Sequence, residues 1–313
     1  MRMALFFLAS AAAAATLVTV PAPKMDQPYG LAIGPDKALY YCEVGNHRIS
    51  RLDLKTHQAT VVADGLGEPY ELAFSKAGDL YFCDRTNHTI RKIDRKTKAI
   101  TTVAGTGKEG FSGDGGPAIN ARFRQPHSIA FTPAGLLLIC DIMNLRIRSL
   151  DLVSGLVNTW AGTGAKGTAP DGAPLSGTPL DGPRALAIDR KGNYYLALRE
   201  GNAIYRLDVK AGKIYRFAGT GEKGFTGDGG DARQAKLSGP KGVALAPDGS
   251  LYIADTENHA IRRVDSHGVI TTVAGNGQRG ELARPHGVFV DAKGIVYIAD
   301  SENNRICVLK GKL

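Results

Sequence analysis

The chain has 313 residues with an ordinary apolar content of 43%. Its 39 glycines and 15 prolines, without long amphipathic helical patterns, exclude a helical protein and point to many short strands joined by turns. The formal charge of +9 is spread through the chain, and no basic stripe interleaved with aromatics accompanies it, which argues against nucleic acid as a partner.

Residues 1–15, MRMALFFLASAAAAA, have a basic start, an apolar stretch and an Ala-Ala-Ala end, the pattern of a secretory signal peptide. The segment is short for a membrane span, so cleavage near Ala15 predicts a secreted or periplasmic protein with no membrane span left after processing. Residues 16–313 then form a single repeat domain. The stretch 16–22, TLVTVPA, mimics the ITTVAG run that closes later repeats.

Six copies of one pattern follow, beginning near Pro28, Pro69, Pro126, Pro183, Pro240 and Pro285. Each carries an equivalent residue at Glu43, Asp84, Asp141, Leu198, Asp255 and Asp300, and an isoleucine at Ile49, Ile90, Ile147, Ile204, Ile261 and Ile306. In the clearest copy GVALAP reads as a first strand, SLYIAD as a second, AIRRVD as a third and VITTVAG as a fourth, with Pro247-Asp248-Gly249 turning the first into the second. Four short antiparallel strands repeated six times predict an all-β, six-bladed propeller. The sixth copy reaches Leu313 soon after its third strand, so residues 16–22 are expected to supply its fourth and close the ring from the opposite end of the chain.

Residues shared by most copies are assigned to the fold. Asp84, Asp141, Asp255 and Asp300 are each followed by Asn87, Asn144, Asn258 and Asn303, which fits side chains closing a turn, and His47, His88 and His259 recur in the same turn. The fourth copy departs there, with Leu198, Arg199, Glu200 and Gly201, and is a candidate for a local ligand contact. Cys42, Cys83 and Cys140 sit where other copies have Ala197, Ala254 and Ala299, so buried free thiols are expected; Cys307 lies on the last strand. Trp160 is expected to pack. Arg51, Arg91, Arg148, Arg206, Arg262 and Arg305 predict a solvated or salt-bridged blade face.

Insertions at 104–125, 161–182 and 218–239 lengthen three consecutive crossovers and are expected to wall one side of the channel mouth. Two contain FSGDGG (111–116) and FTGDGG (225–230). One carboxylate each, Asp114 and Asp228, is a poor start for calcium, so turn-forming loops are the reading.

The residue after each proline starts the innermost strand: Tyr29, Tyr70, His127, Arg184, Lys241 and His286, with Glu71 and Ser128 one position on. Here the register holds while the residue type changes, and every variant is polar or aromatic. Tyr29, Tyr70, Glu71, His127, Arg184, Lys241 and His286 are therefore the candidate ligand-binding set. The guanidinium fork, ammonium and tyrosine walls suit a small anionic molecule or an acidic peptide segment.

The runs LYIADTENHAIRRVD and VYIADSENNRICVL resemble NHL repeats, and AGTGKEGFSGDGGPAINARFRQPHSIAF and AGTGEKGFTGDGGDARQAKLSGPKGVAL resemble the form found in exported bacterial members. This resemblance covers essentially the whole chain after the signal and implies a six-bladed propeller. It also implies an architecture shared with the senescence marker protein/gluconolactonase-like lactonases and with peptidyl-hydroxyglycine amidating lyase. The amidating lyases place zinc histidines in Pro-His motifs at this strand start. This chain matches with PHS at 126–128 and PHG at 285–287 but lacks a third such histidine. At the strand starts where the lactonases place Pro-Asn-Gly and Pro-Asp-Gly metal ligands, PRA and PKG put Arg184 and Lys241, opposing a cation. No cofactor is therefore expected. The function expected is an exported, monomeric ligand- or protein-binding module. The alternative is a metal-dependent lyase or hydrolase holding zinc or calcium with His127, His286 and Glu71.

Overall fold

The structure, a computed structural model, describes residues 16–189 and 192–310. The expected signal peptide, residues 1–15, lies outside the described residues. Six antiparallel sheets are arranged as the blades of a propeller. Their inner strands are Pro28–Ile33, Pro69–Phe74, Pro126–Phe131, Pro183–Ile188, Pro240–Leu245 and Gly287–Val290. Blade 5 shows the plan. From the inner strand the chain runs outward through Leu251–Asp255, Ala260–Val264 and Ile270–Ala274, each paired with the one before. No helix among the described residues is long and apolar enough to cross a membrane.

Second strands such as Leu80–Asp84 and Leu251–Asp255 are buried at every position, and those of blades 1 and 4 at all but one, because a neighbouring blade covers each face. The core is accordingly divided into six clusters, each spanning two adjacent blades. One joins Ala197 and Ile204 of blade 4 to Val243 and Ile253 of blade 5; another joins Tyr297 and Ile306 of blade 6 to Leu31 and Leu39 of blade 1. Burying each large aliphatic side chain contributes about 1.5–3 kcal/mol, so stability is shared around the ring.

Ring closure follows the sequence expectation. Thr16–Thr19 pairs antiparallel with Arg305–Lys310, in the register Leu17 to Leu309 and Thr19 to Cys307, and supplies the fourth strand of blade 6. Two side chains reinforce the seam: Asn304 Oδ1 accepts the Gln27 N–H at 2.9 Å, and Ser301 Oγ donates to the Pro28 carbonyl at 2.6 Å.

The repeated acids build the blades. Oδ1 of Asp84, Asp141, Asp255 and Asp300 accepts the backbone N–H of Gly67, Arg124, Ser238 and Ala283, while Oδ2 accepts from Asn87, Asn144, Asn258 and Asn303 at 2.7–3.0 Å. The turn histidines clasp the next blade. His88 Nδ1 accepts from the Gln125 N–H and His259 Nδ1 from the Arg284 N–H, and the His47 ring contacts the Gly67 carbonyl. Cys42, Cys83, Cys140 and Cys307 are buried free thiols, and Trp160 stacks on Tyr194 with ring centroids 5.9 Å apart. After the fourth strand, Gly105, Gly162, Gly219 and Gly275 have positive φ, and a Cβ there would overlap the carbonyl oxygen of His88, Leu145, Asn202 or His259.

Two expectations are corrected. All six arginines are ion-paired, as the salt-bridged form of the blade-face expectation has it, but Arg148 and Arg262 are fully buried and not solvated, whereas Arg51, Arg91, Arg206 and Arg305 are part-exposed. The insertions also run mainly outward, although the third, 218–239, sends Lys223 and Gly239 to the channel end. Gly116–Pro117 adds a fifth strand outside Leu156–Ala161, and Ala173–Pro174 does the same outside Lys213–Ala218. Asp114 and Asp228 each accept from the buried Arg148 and Arg262 at 2.7 and 2.8 Å, so these loops are anchored by arginine, as a structural reading of them requires.

Candidate functional site

The six inner strands bring the residue after each proline to one end of the central channel. Tyr29, Tyr70, His127, Arg184, Lys241 and His286 meet there, with Gly30, Glu71, Ser128 and Gly287 one position deeper. The local cause is the backbone before three of the strands. Gln27, Gln125 and Arg284 have φ of 45, 53 and 46°, the left-handed region, which turns the chain sharply into the channel.

That turn also orients both histidines. His127 Nδ1 donates to the Gln125 carbonyl at 2.6 Å and His286 Nδ1 to the Arg284 carbonyl at 2.9 Å. A carbonyl only accepts, so each ring carries its proton on Nδ1 and presents a lone pair at Nε2. Burial holds both imidazoles well below their ordinary pKa, and Arg184 beside His127 and Lys241 beside His286 push the same way. Neutral His286 then accepts at Nε2 from Lys241 Nζ, 3.1 Å away.

The aromatic rings form a continuous arc. His286 stacks on Tyr29 at 4.0 Å, Tyr29 meets Tyr70 at 4.7 Å, and Tyr70 meets His127 edge-on at 4.6 Å. The guanidinium groups of Arg184 and Arg85 lie 5.0 and 4.9 Å from the Tyr70 ring centre. Glu71 leans toward blade 1, where Gly30 leaves room that a Cβ would take from its Oε1. Burial raises the Glu71 carboxyl to about 7, against the opposing Leu72 N–H and Arg184.

The arrangement differs from an open mouth. Arg184, Lys241, His127 and His286 are only 5–9% exposed, and the space left among them holds about one water molecule. The expected ligand-binding residues are thus brought together, but as a packed polar plug. His127, His286 and Glu71 do not form a ligand set: no three His, Cys, Asp or Glu side chains among the described residues are grouped to hold a metal ion.

Open space lies beside the plug. A cleft of about 510 Å³ is lined by Arg199, Glu200, Asn202, Lys223, Gly239, Glu257 and Arg284. Glu257 joins the two layers: its Oε1 lies 3.1 Å from Lys241 Nζ, 2.7 Å from Arg284 and 4.0 Å from Arg199. Burial opposes its ionisation, but Lys241 and Arg284 bring its carboxylate below the usual range. Burial and Arg184 lower Lys241 to about 8, with Glu257 resisting. Arg199 and Glu200, the departure of the fourth copy, pair with each other at the cleft. Lys223, Glu257 and Arg284 escaped sequence reasoning. For Arg284 the available signal was a cation just before Pro285, and for Lys223 its place in the 218–239 insertion; for Glu257 nothing linear distinguished it.

Residues 282–309 match the NHL repeat, and residues 217–280 match the teneurin NHL domain. The chain is thus a six-bladed propeller whose residues 217–280 and 282–309 carry NHL-repeat sequence. Among curated relatives, it is 31% identical over 166 residues to the chloroplastic protein Suppressor of Quenching 1 of Arabidopsis thaliana, and 29% identical over 167 residues to Teneurin-m of Drosophila melanogaster. Each match takes in 51% of this chain but only 15% and 6% of those proteins' own lengths. The propeller also superposes on solved structures. An auxiliary nutrient binding protein from Bacteroides thetaiotaomicron aligns with a TM-score of 0.72 at 17% identity, over 94% of this chain and 76% of that one. A gluconolactonase from Xanthomonas campestris aligns at 0.69 and 15%, over 95% and 90%. A streptogramin B lyase aligns at 0.67 and 16%, over 97% and 100%. At these identities the likeness concerns the fold.

Proposed function

We propose that this propeller is an exported, monomeric recognition module that binds an anionic ligand, a small carboxylate or an acidic peptide side chain, at the channel end where the inner strands begin. The observation that carries the reading is the cleft itself. Arg199, Lys223 and Arg284 line it, with Lys241 and Arg184 packed behind, against the two acids Glu200 and Glu257. A bound carboxylate would compete with Glu257 for Arg199 and Arg284, while the buried plug keeps positive potential behind the ligand. The resemblance to exported bacterial members and the signal-like residues 1–15 support action outside the cytoplasm.

The test is a thermal-shift screen of organic acids and acidic peptides, followed by calorimetry on any hit. Arg199→Ala combined with Lys223→Ala removes cleft cations without touching the plug and is expected to abolish binding. Undiminished affinity in that double variant would place the site elsewhere.

A further inference from the structure

Blades 3 and 5 display a complete recognition event made within the chain. In blade 3, Arg148 Nη2 donates to the Ser112 carbonyl at 3.1 Å and to Asp114 Oδ1 at 2.7 Å, and Thr159 Oγ1 donates to Asp114 Oδ2 at 2.7 Å. Asn144 Nδ2 donates to the Gly110 carbonyl at 2.7 Å, and the Phe111 ring centre lies 4.9 Å from the guanidinium. Blade 5 repeats this except for the threonine contact, since the Thr272 hydroxyl opposite Arg262 has no hydrogen-bond partner among the described residues. Arg262 Nη2 donates to the Thr226 carbonyl and Asp228, Asn258 to the Gly224 carbonyl, and Phe225 lies 5.0 Å away. In both, an Asn and an Arg receive a segment with an aromatic residue, a glycine two positions on and an aspartate three positions on.

Blade 2 has the same receptor without the segment. Arg91 pairs with Thr102 across the strands as Arg148 pairs with Thr159, and Asn87 donates to Asp84 at 3.0 Å as Asn144 does to Asp141. Blades 1, 4 and 6 have Ser50, Tyr205 and Cys307 at the arginine position. The crossover into blade 2, residues 64–68, is short and carries no such run. What remains is a groove of about 630 Å³ lined by Asp84, Asn87, Thr89, Arg91, Thr102 and Gly107, among others.

Three further observations mark it as vacant. The Arg91 side chain is 24% exposed, against 0% for Arg148 and 1% for Arg262. The buried Thr89 hydroxyl has no hydrogen-bond partner among the described residues. A Cβ on Gly277 in blade 5 would strike the Phe225 ring, whereas one on the equivalent Gly107 meets nothing nearer than the Asn87 carbonyl at 3.9 Å. The space a phenylalanine ring fills in blade 5 is therefore open in blade 2.

We propose that this groove is a second binding site, separate from the channel end, for a peptide segment of a partner protein carrying an aromatic residue three positions before an aspartate. The carboxylate meets Arg91 Nη2 and the Thr102 hydroxyl, a backbone carbonyl meets Asn87, and the ring lies over Arg91 beside Gly107. The chain's own two Phe-x-Gly-Asp runs, residues 111–114 and 225–228, are engaged on Arg148 and Arg262, so the occupant comes from another molecule.

The probe is the synthetic nonapeptide Lys-Glu-Gly-Phe-Ser-Gly-Asp-Gly-Gly, the sequence of residues 108–116, titrated by calorimetry into the intact protein. Saturable binding is expected. It should fall about tenfold or more, the loss of one charge-assisted hydrogen bond, with Arg91→Ala and with peptides in which the Phe or the Asp is replaced by Ala or Asn. Thr102→Glu is the companion variant, because Thr102 is exposed and its replacement gives Arg91 a carboxylate of its own without disturbing the core. It should block the peptide while leaving thermal stability intact. Absence of saturable binding at millimolar peptide, or equal affinity in Thr102→Glu, would overturn the proposal.

Discussion

Lys241 donates from Nζ to Nε2 of His286 across 3.1 Å, joining the channel positions of blades 5 and 6. The contact needs a neutral imidazole, which the Arg284 carbonyl secures by taking the proton on Nδ1. A lysine read from sequence as a free cation at a mouth is therefore committed to a histidine and to Glu257.

His286 and His127 are expected to stay neutral, as the Nδ1–H tautomer, at pH values where an exposed histidine is largely protonated. Nitrogen chemical shifts in labelled protein check this. Because the folded values lie below the unfolded one, the unfolded chain binds the extra protons, and stability falls as pH drops below about 6.5. Lys241→Met should move the His286 midpoint upward, since Lys241 contributes to its depression after burial.

Glu71 gives the opposite slope. Its folded value of about 7 exceeds the ordinary 4.5, so between these the folded protein holds a proton that the unfolded chain has released. Wild-type Tm should fall relative to Glu71→Gln as pH rises from about 5 to about 8, and the difference should then level off. Parallel melting curves for the two proteins across this window would show that Glu71 is ionised throughout.

Removal of residues 16–22 deletes the strand paired to Arg305–Lys310 and exposes the cluster in which Val20 is buried. A sharp loss of Tm is expected, because the cut opens a ring whose clusters each depend on two blades. Calorimetry of the truncated chain against the same chain with residues 16–22 present measures it.

Arg262→Ala leaves Asp255 buried without its cation and frees the FTGDGG loop. The expected cost is about 3–5 kcal/mol in urea unfolding, the range for a broken buried ion pair. Asp228→Asn should cost less, because the Asp228 side chain is half exposed and Arg262 keeps Asp255.

Much of the molecule was legible because its determinants are local and repeated. Pro-Asp-Gly turns, alternating strands and the Asp-x-x-Asn turn each act within a few residues, and six copies identify them as architecture. The strand from residues 16–22 was found by the same means, through its likeness to ITTVAG. The cleft was not legible, because Lys223, Glu257 and Arg284 come from three separate segments and meet only through the loop path. The roles of Asp114 and Asp228 were half visible: their loops were recognised as turns, but not the buried arginines they serve.

The sequence by itself determined the blades, their number, the closing strand and which six positions face the channel, since strand period and turn chemistry depend on near neighbours. Tertiary structure alone decided that those six side chains plug the channel, that cations and open volume lie beside it, and that blade 2 keeps a receptor whose counterparts are filled. Those outcomes depend on how closely six inner strands approach one another and where three insertions run, distances that no single copy of the repeat contains.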